Sequence, residues 1–363
     1  MNLGVFLSSG SSFSKLASKG RDELLKSYLV KYCQSFNRVY VFSYHKEKRT
    51  DLPENCFLID NQCNLPRAIY TFLLPFLAKK ELKQCQVLRI MQLTGAVPAI
   101  IAGKIYKIPT VSTYGYDYLK FAKMEKKFIS FWLLKILKPL ILKNLSVIIT
   151  TTHFLQKKLK KKINKPVFLI PNSVNTNLFK PKNKVFDKKK IKILSVGRLE
   201  KQKNLDSLIK AISFSKYKKN IYLTLIGNGS LRLFLIKLAK KRNINLKILN
   251  KISYNQMPKY YQQADIFCLI SFIEGHPKAL IEALSCGLPS IVSKNKGNLS
   301  IAEDKETALV VDFNNNDIAD KIDLLINREK LRDNLSKNGR EKVIKLFNRD
   351  KLLNKEIKIL KNV

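Results

Sequence analysis

Two carboxylates, Glu274 and Glu282, flank a Gly275-His276-Pro277 turn in the run Ser271-Phe-Ile-Glu-Gly-His-Pro-Lys-Ala-Leu-Ile-Glu-Ala-Leu-Ser-Cys-Gly-Leu-Pro289. Pro277 lacks an N–H and has φ fixed near helical values, which suits the first position of a helix continuing through Ala279 to Leu284. Glu274 then lies in the loop and Glu282 on the helix. The unbonded N–H groups at such a helix start, together with the positive end of its dipole, favour an anion, and a diphosphate is the natural guest. Carboxylates only accept hydrogen bonds, so a pair around an anion site suits a ligand that also carries hydroxyls, such as a ribose and a hexose. The spacing alone fits an ordinary amphipathic helix with an exposed Glu equally well. What favours the ligand site is the setting, a strand-like Asp265-Ile-Phe-Cys-Leu-Ile270 running into the turn.

Such a site needs rigid elements to hold it, and strand-like runs alternate with helical stretches along the chain. That alternation predicts an α/β protein with parallel sheets covered on both faces. In the first half, strands are expected at 2–8, 38–44, 86–90, 110–113, 146–150 and 167–170, with a helix over 22–36. In the second half they are expected at 191–196, 221–226, 246–249, 266–270, 290–292 and 308–311. Residues 177–187 are polar, contain Pro181 and show no periodicity, so they read as a linker between domains at 1–184 and 185–345. The length of 363 residues exceeds what one core usually serves, and a 45% hydrophobic content can build two.

The pattern Ser-x-x-Glu-Gly-x-Pro-x-x-x-x-Glu-Ala-x-x-Cys-Gly-x-Pro does not stand alone. Val196-Gly-Arg-Leu199 with Lys203-Asn204, Leu225-Ile-Gly-Asn-Gly-Ser230, Tyr260-Tyr-Gln-Gln-Ala-Asp265 and Thr307-Ala-Leu-Val-Val311 accompany it in order. Together these segments resemble glycosyltransferase family 4. The resemblance implies the GT-B fold, two Rossmann-like parallel-sheet domains facing a central cleft, with a last helix in 346–363 returning to the N-terminal domain. It implies retaining transfer of a hexose-type sugar from a nucleotide diphosphate sugar to a hydroxyl acceptor, in cell-surface polysaccharide, lipopolysaccharide or glycolipid synthesis. The donor would be a UDP-sugar in preference to a GDP-sugar, with no cofactor and no metal. By the same resemblance, Arg198, Lys203 and Glu274 are catalytic, while Gly197, Gly227, Gly229, Gly275, His276, Pro277, Lys278, Ala279 and Glu282 bind the donor. Glu282 would hold the ribose diol and Glu274 would face the hexose. An Arg fork and a Lys point charge aimed at a departing diphosphate stabilise the transition state more than the ground state, which is the physical sense of Arg198 and Lys203 in this role.

The chain also departs from the family. The turn commonly reads Gly-Phe-Gly, where this chain has Gly275-His276-Pro277, so that His276 either bonds the donor or is a solvated loop side chain. The short Gly227-Asn-Gly229 turn is either part of the donor site or a tight strand-helix connection. Asn250-Lys251 stands where a Gly usually passes the nucleobase. In the first half the glycine-rich loop after the first strand is reduced to Gly10. In Ser112-Thr-Tyr-Gly-Tyr-Asp-Tyr118, Tyr114 takes the place of an expected His. Tyr does not ionise near neutral pH, so on the acceptor side either the Tyr114 hydroxyl donates a hydrogen bond or Asp117 takes part of the role. His45 and His153 read as structural.

The net charge of +41, from 68 Lys and Arg against 27 Asp and Glu, is extreme. Nucleic-acid binding is disfavoured because the basic residues are spread over both halves without a zinc, ribonucleoprotein or basic-heptad motif. An anionic membrane surface and a Lys-rich compositional bias both fit. The segment 128–143 reads either as an interfacial helix carrying Trp132 with Lys135, Lys138 and Lys143, or as a helix buried on the first sheet. The six cysteines form no C-x-x-C pair and read as reduced thiols, and no signal peptide or spanning helix is expected, which suggests a cytoplasmic protein, peripheral on the inner membrane face if the basic surface binds lipid. The expected partners are a nucleotide-sugar donor and a lipid-linked or polysaccharide acceptor. The competing classes are a non-catalytic sugar-nucleotide binder and a basic membrane- or nucleic-acid-binding protein.

Overall fold

The computed structural model describes residues 1–8, 11–17, 22–47, 51–124, 128–250 and 252–363. It divides into two compact units, Met1–Pro171 with Lys351–Val363, and Asn172–Asp350.

The first unit is a seven-stranded sheet of β1 (Leu3–Phe6), β2 (Val39–Phe42), β3 (Cys56–Ile59), β4 (Val87–Ile90), β5 (Thr110–Tyr114), β6 (Val147–Thr150) and β7 (Val167–Leu169). Its order is β3-β2-β1-β4-β5-β6-β7, with every pairing parallel. Two cores cover its two faces. One packs Leu74, Ala99 and Leu155 from three helices against Phe6, Leu88 and Ile148; the other packs Leu29, Tyr32, Leu353 and Leu360 against Leu3, Val41 and Val87. Burial on both faces is why β1, β2 and β6 read as mostly apolar runs without strict alternation.

The second unit is a six-stranded sheet of β8 (Ile191–Val196), β9 (Ile221–Ile226), β10 (Asn245–Leu249), β11 (Ile266–Leu269), β12 (Ser290–Ser293) and β13 (Leu309–Val311). Its order, β10-β9-β8-β11-β12-β13, is again fully parallel. In both sheets the order reverses beside the first strand, between β1 and β4 and between β8 and β11. Open α/β sheets bind ligands outside the carboxyl ends of the strands at such a switch point.

Every strand expected from the sequence is present, and β3 is an addition. It is a short edge strand, only partly buried, with Phe57 exposed, so it carries a weak apolar signal. The expected linker is a correction. Phe179 is fully buried against Tyr254 and Tyr261, and its carbonyl accepts from Ser285 Oγ at 2.6 Å, which ties this segment into the second unit. The division therefore falls after Pro171 and not at 184. At the other end, Val174 N–H donates to the Phe347 carbonyl and Arg349 N–H to that of Val174, so residues 346–350 stay with the second unit and the first resumes at Lys351.

The final helix, Arg349–Lys361, is held on the first sheet by Glu356. Its carboxylate accepts from Arg89 Nε at 2.5 Å and from the Tyr32 hydroxyl at 2.6 Å, and both charged side chains are about 5% exposed or less. The helix Phe128–Asn144 matches neither of its two alternatives fully. Leu142 is buried and Leu134 and Ile141 pack on the core, while Phe128, Trp132, Ile136 and Leu140 are exposed. Among the described residues no helix is long and apolar enough to cross a membrane.

Candidate functional site

The strand ends at the switch point of the second sheet carry the charged residues named from the sequence. β8 ends at Val196 and is followed by Gly197 and Arg198; β11 ends at Leu269 and leads into the loop holding Glu274. Lys203 Nζ donates to Glu274 Oε1 at 2.5 Å, with the side chains 14% and 8% exposed, so two loops from neighbouring strands are joined by a largely buried ion pair. Burying one of these charges without the other would be strongly unfavourable. The pair leaves capacity on both sides: an ammonium has three donors and a carboxylate about four acceptor sites, and this bond uses one of each.

Glycines make this approach possible. A Cβ on Gly197 would meet Lys203 Cε at 2.9 Å, so the missing side chain is the channel through which the lysine reaches across. Gly227 has φ +149°, and a Cβ there would lie 1.8 Å from the Gly197 carbonyl oxygen. At Gly229 a Cβ would sit 2.3 Å from the Leu199 carbonyl oxygen. The Gly227-Asn-Gly229 turn therefore presses against the backbone of the β8 loop, which is a packing role. Arg198 is exposed, and its guanidinium donates to Gln202 Oε1 at 2.7 Å; Gln202 in turn donates to the Ile273 carbonyl at 2.6 Å. This relay fixes the arginine beside the residue preceding Glu274.

The turn itself differs from expectation in two respects. The helix is Lys278–Ser285, and Pro277 caps it with an extended ψ of 112° instead of occupying its first position. Lys278 and Ala279 form the first turn, half-buried, and Gly275 lies between the carboxylate and the histidine. His276 is not a solvated loop side chain. It is 5% exposed, its ring stands edge-on to Phe347 at 5.2 Å between centroids, and its carbonyl accepts from Asn172 Nδ2. Burial, aided by the neighbouring Lys278 charge, lowers its pKa to about 3, so the ring is neutral at physiological pH. Its buried Nδ1 has no hydrogen-bond partner among the described residues. Glu282 is half-buried on the helix and accepts from the Tyr261 hydroxyl at 2.8 Å. The structure thus brings together Gly197, Lys203, Glu274, Gly227 and Arg198, while Glu282 is held through Tyr261.

Three supporting residues escaped sequence reasoning. A Cβ on Gly297 would meet the Glu274 carbonyl at 2.5 Å, so the loop after β12 lies directly on the Glu274 backbone. Asn295 and Asn298 brace that loop: Asn295 Nδ2 donates to the Ser271 carbonyl at 2.9 Å, and Asn298 Nδ2 to that of Ser293 at 2.9 Å. The available signal was the cluster Asn295-Lys-Gly-Asn298 immediately after a strand. Asn250, at the end of β10, accepts from Arg232 at 2.6 Å, and Lys251 lies outside the described residues.

On the acceptor side, Gly10 lies outside the described residues. Tyr114 ends β5, is 1% exposed, and has a hydroxyl with no partner among the described residues; burial, with a contribution from Asp117, raises its pKa. Lys138 Nζ sits over its ring at 4.9 Å. Asp117 is engaged by Lys158 Nζ at 2.6 Å.

Comparison with known proteins agrees with this architecture. The model described as "Glycosyltransferase Family 4" matches residues 28–178, and that described as "Glycosyl transferases group 1" matches 177–342. A Campylobacter jejuni protein, the N-acetylgalactosamine-N,N'-diacetylbacillosaminyl-diphospho-undecaprenol 4-alpha-N-acetylgalactosaminyltransferase, is 32% identical over 170 residues, 46% of each chain. The Escherichia coli UDP-Gal:alpha-D-GlcNAc-diphosphoundecaprenol alpha-1,3-galactosyltransferase is 30% identical over 196 residues, 50% of each. The matched stretch thus spans about half the length of these curated relatives. Among solved structures, sucrose-phosphate synthase from Thermosynechococcus elongatus superposes with a TM-score of 0.80 at 18% identity, covering 100% of this chain and 98% of that one. Anabaena Alr3699/HepE in complex with UDP and glucose gives 0.75 at 16% identity, covering 100% and 99%. With two parallel α/β sheets of the GT-B kind and consecutive family matches from 28 to 342, the chain belongs to glycosyltransferase family 4.

Proposed function

We propose that the second unit binds the diphosphate of a nucleotide sugar at the carboxyl ends of β8, β9 and β11, and that the protein transfers the sugar to a hydroxyl acceptor. The observation that carries this reading is the Lys203–Glu274 pair, held across the switch point by Gly197 and Gly297. A nucleotide diphosphate gains negative charge as its bond to the sugar breaks. Lys203 and the exposed Arg198 are the cations placed to meet that charge, and they take the part a divalent metal would otherwise play. Glu274 holds Lys203 in place and offers its remaining lone pairs to hexose hydroxyls, while Glu282, oriented by Tyr261, accepts from the ribose diol.

The transferred group is a hexose-type sugar and its configuration is retained. The bond from the anomeric carbon to the diphosphate oxygen breaks, a bond to the acceptor oxygen forms on the same face, and the acceptor proton passes to the departing phosphate oxygen. No side-chain base is required. A UDP-sugar donor is supported by the E. coli relative, whose name gives UDP-Gal, and by Anabaena HepE, solved with UDP. A lipid-diphosphate acceptor is supported by the diphospho-undecaprenol in the names of both bacterial relatives.

The test is a panel of UDP- and GDP-sugars incubated with the purified chain, with and without polyprenyl-diphosphate-linked sugars, reading release of nucleoside diphosphate. Release of UDP that rises on adding a lipid-linked acceptor is the expected result. Tight donor binding without turnover on any acceptor would favour the non-catalytic binder.

A further inference from the structure

We propose that the outer face of three helices of the first unit, Arg67–Leu77, Ala96–Tyr106 and Phe128–Asn144, docks on an anionic lipid bilayer. The inference goes beyond the donor site and holds whichever sugar is transferred.

The Arg67–Leu77 helix buries Tyr70, Leu74 and Pro75 and turns Ile69, Phe72, Leu73, Phe76 and Leu77 outward, at the helical spacing of a single face. On Phe128–Asn144 the outward row is Phe128, Trp132, Ile136 and Leu140, each separated by one turn. Phe72, Phe76, Phe128, Trp132 and Ile136 are all more than half exposed, at 59%, 57%, 72%, 56% and 64%. The Ala96–Tyr106 helix packs against both of the others, with Tyr106 donating to the Pro75 carbonyl at 2.8 Å, and adds Ile105 to the exposed surface. The two apolar rows therefore flank a common neighbour on one face of the sheet. A surface with this many large exposed apolar side chains needs a partner.

Charge selects the partner. The three helices contain no Asp or Glu, and Arg67, Lys104, Lys135 and Lys143 stand exposed on them, with Lys79, Lys80 and Lys107 just beyond their ends. Lys135 Nζ lies 4.5 Å from the Trp132 ring, an aromatic-cation pair of the kind that settles at the boundary between headgroups and acyl chains. A second copy of the chain would set one basic rim against another in a molecule of net charge +41, which disfavours self-association. Anionic lipid satisfies both parts: acyl chains cover the apolar rows, and phosphates take the lysines, whose stems extend along the apolar surface.

Trp132 is the only tryptophan, so its fluorescence reports this face alone. Vesicles of equimolar phosphatidylglycerol and phosphatidylcholine should blue-shift its emission, brominated acyl chains should quench it, and pure phosphatidylcholine should do much less. The paired changes Phe72→Ser with Phe76→Ser, or Ile136→Ser with Leu140→Ser, should weaken vesicle binding roughly tenfold or more. Leu233→Ser, at a site 72% exposed in the second unit, should bind as the wild type. These are surface positions, and unchanged thermal unfolding will show that the variants fold. Three results would overturn the proposal: unshifted emission with anionic vesicles at low salt; paired variants that bind like the wild type, which would assign binding to bulk charge; or a shift that depends on protein concentration without lipid, which would assign the face to a second copy. Because vesicle binding is read without substrate, its failure is separable from failure of donor turnover.

Discussion

At the carboxyl end of β5 in the first unit stands Tyr114, buried, its hydroxyl without a partner among the described residues; at the ends of β8 and β11 in the second stand Lys203 and Glu274, bonded to each other through a channel left by glycine. The two sheets run in equivalent strand orders and differ in what their strand ends hold. The second unit invests its glycines and asparagines in fixing charges at the switch point. Conspicuous buried charge in the first unit lies elsewhere, in Arg89 and Glu356, and its outer helices expose apolar rows. On the proposed reading one unit holds a small polyanion, while the other offers a broad apolar surface and a hydroxyl-bearing strand end. A shared fold therefore says little about function until the residues at its strand ends are known.

The comparison can be tested by perturbing each unit where it is most committed. The largest effect is expected at Glu356. Glu356→Ala leaves the Arg89 guanidinium buried without its carboxylate and should destabilise the first unit by about 3–5 kcal/mol, measured by urea denaturation. A loss under about 1 kcal/mol would mean that the pair is solvated and that the final helix is held by its apolar contacts alone.

A smaller effect is expected at His276, as a pH dependence. Its neutral ring is held down to about pH 3 in the fold, whereas the unfolded chain takes up a proton below its ordinary value of 6.5. Unfolding thus binds a proton in this window, and stability must fall as pH drops through it, by about 2 kcal/mol between pH 7 and pH 5. Denaturation of wild type and His276→Asn at the two pH values should show the wild type losing more by that amount. Equal losses would return His276 to solvent.

The smallest effect is expected at Tyr114. A buried hydroxyl without a partner contributes no net stability, so Tyr114→Phe should change unfolding by about 0.5 kcal/mol or less, in either direction. If the hydroxyl meets the acceptor, the variant will raise the acceptor KM and leave the donor KM unchanged. A clear loss of stability would show that the first unit, like the second, spends its strand end on internal bonding.

Much of the second unit was legible because its strands are short, mostly apolar runs, and Gly197 and Gly227 follow β8 and β9 directly. β8 and β9 have the expected limits. The Lys203–Glu274 bond was not legible, because its partners are 71 residues apart and only the sheet order brings their loops together. Gly297 was missed for the same reason: what makes it necessary is the Glu274 backbone, which nothing near it in sequence announces. Segment 177–187 misled because two isolated aromatics, Phe179 and Phe186, anchor a largely polar stretch, and periodicity does not register residues so spaced. The outward row of Arg67–Leu77 escaped for the opposite reason, and that of Phe128–Asn144 stood only as one of two alternatives. Apolar residues at helical spacing read as core, and only the structure distinguishes the face packed on the sheet from the face turned away.

The central claim, that the second unit's strand ends form the donor site, is tested most directly by UDP release from a UDP-sugar by wild type and by Lys203→Ala and Arg198→Ala variants of matched stability. Loss of turnover by roughly 10²–10³ in each variant is predicted, as expected when a cation aimed at developing charge is removed. Wild-type turnover in both variants would remove these residues from the chemistry and contradict the assignment.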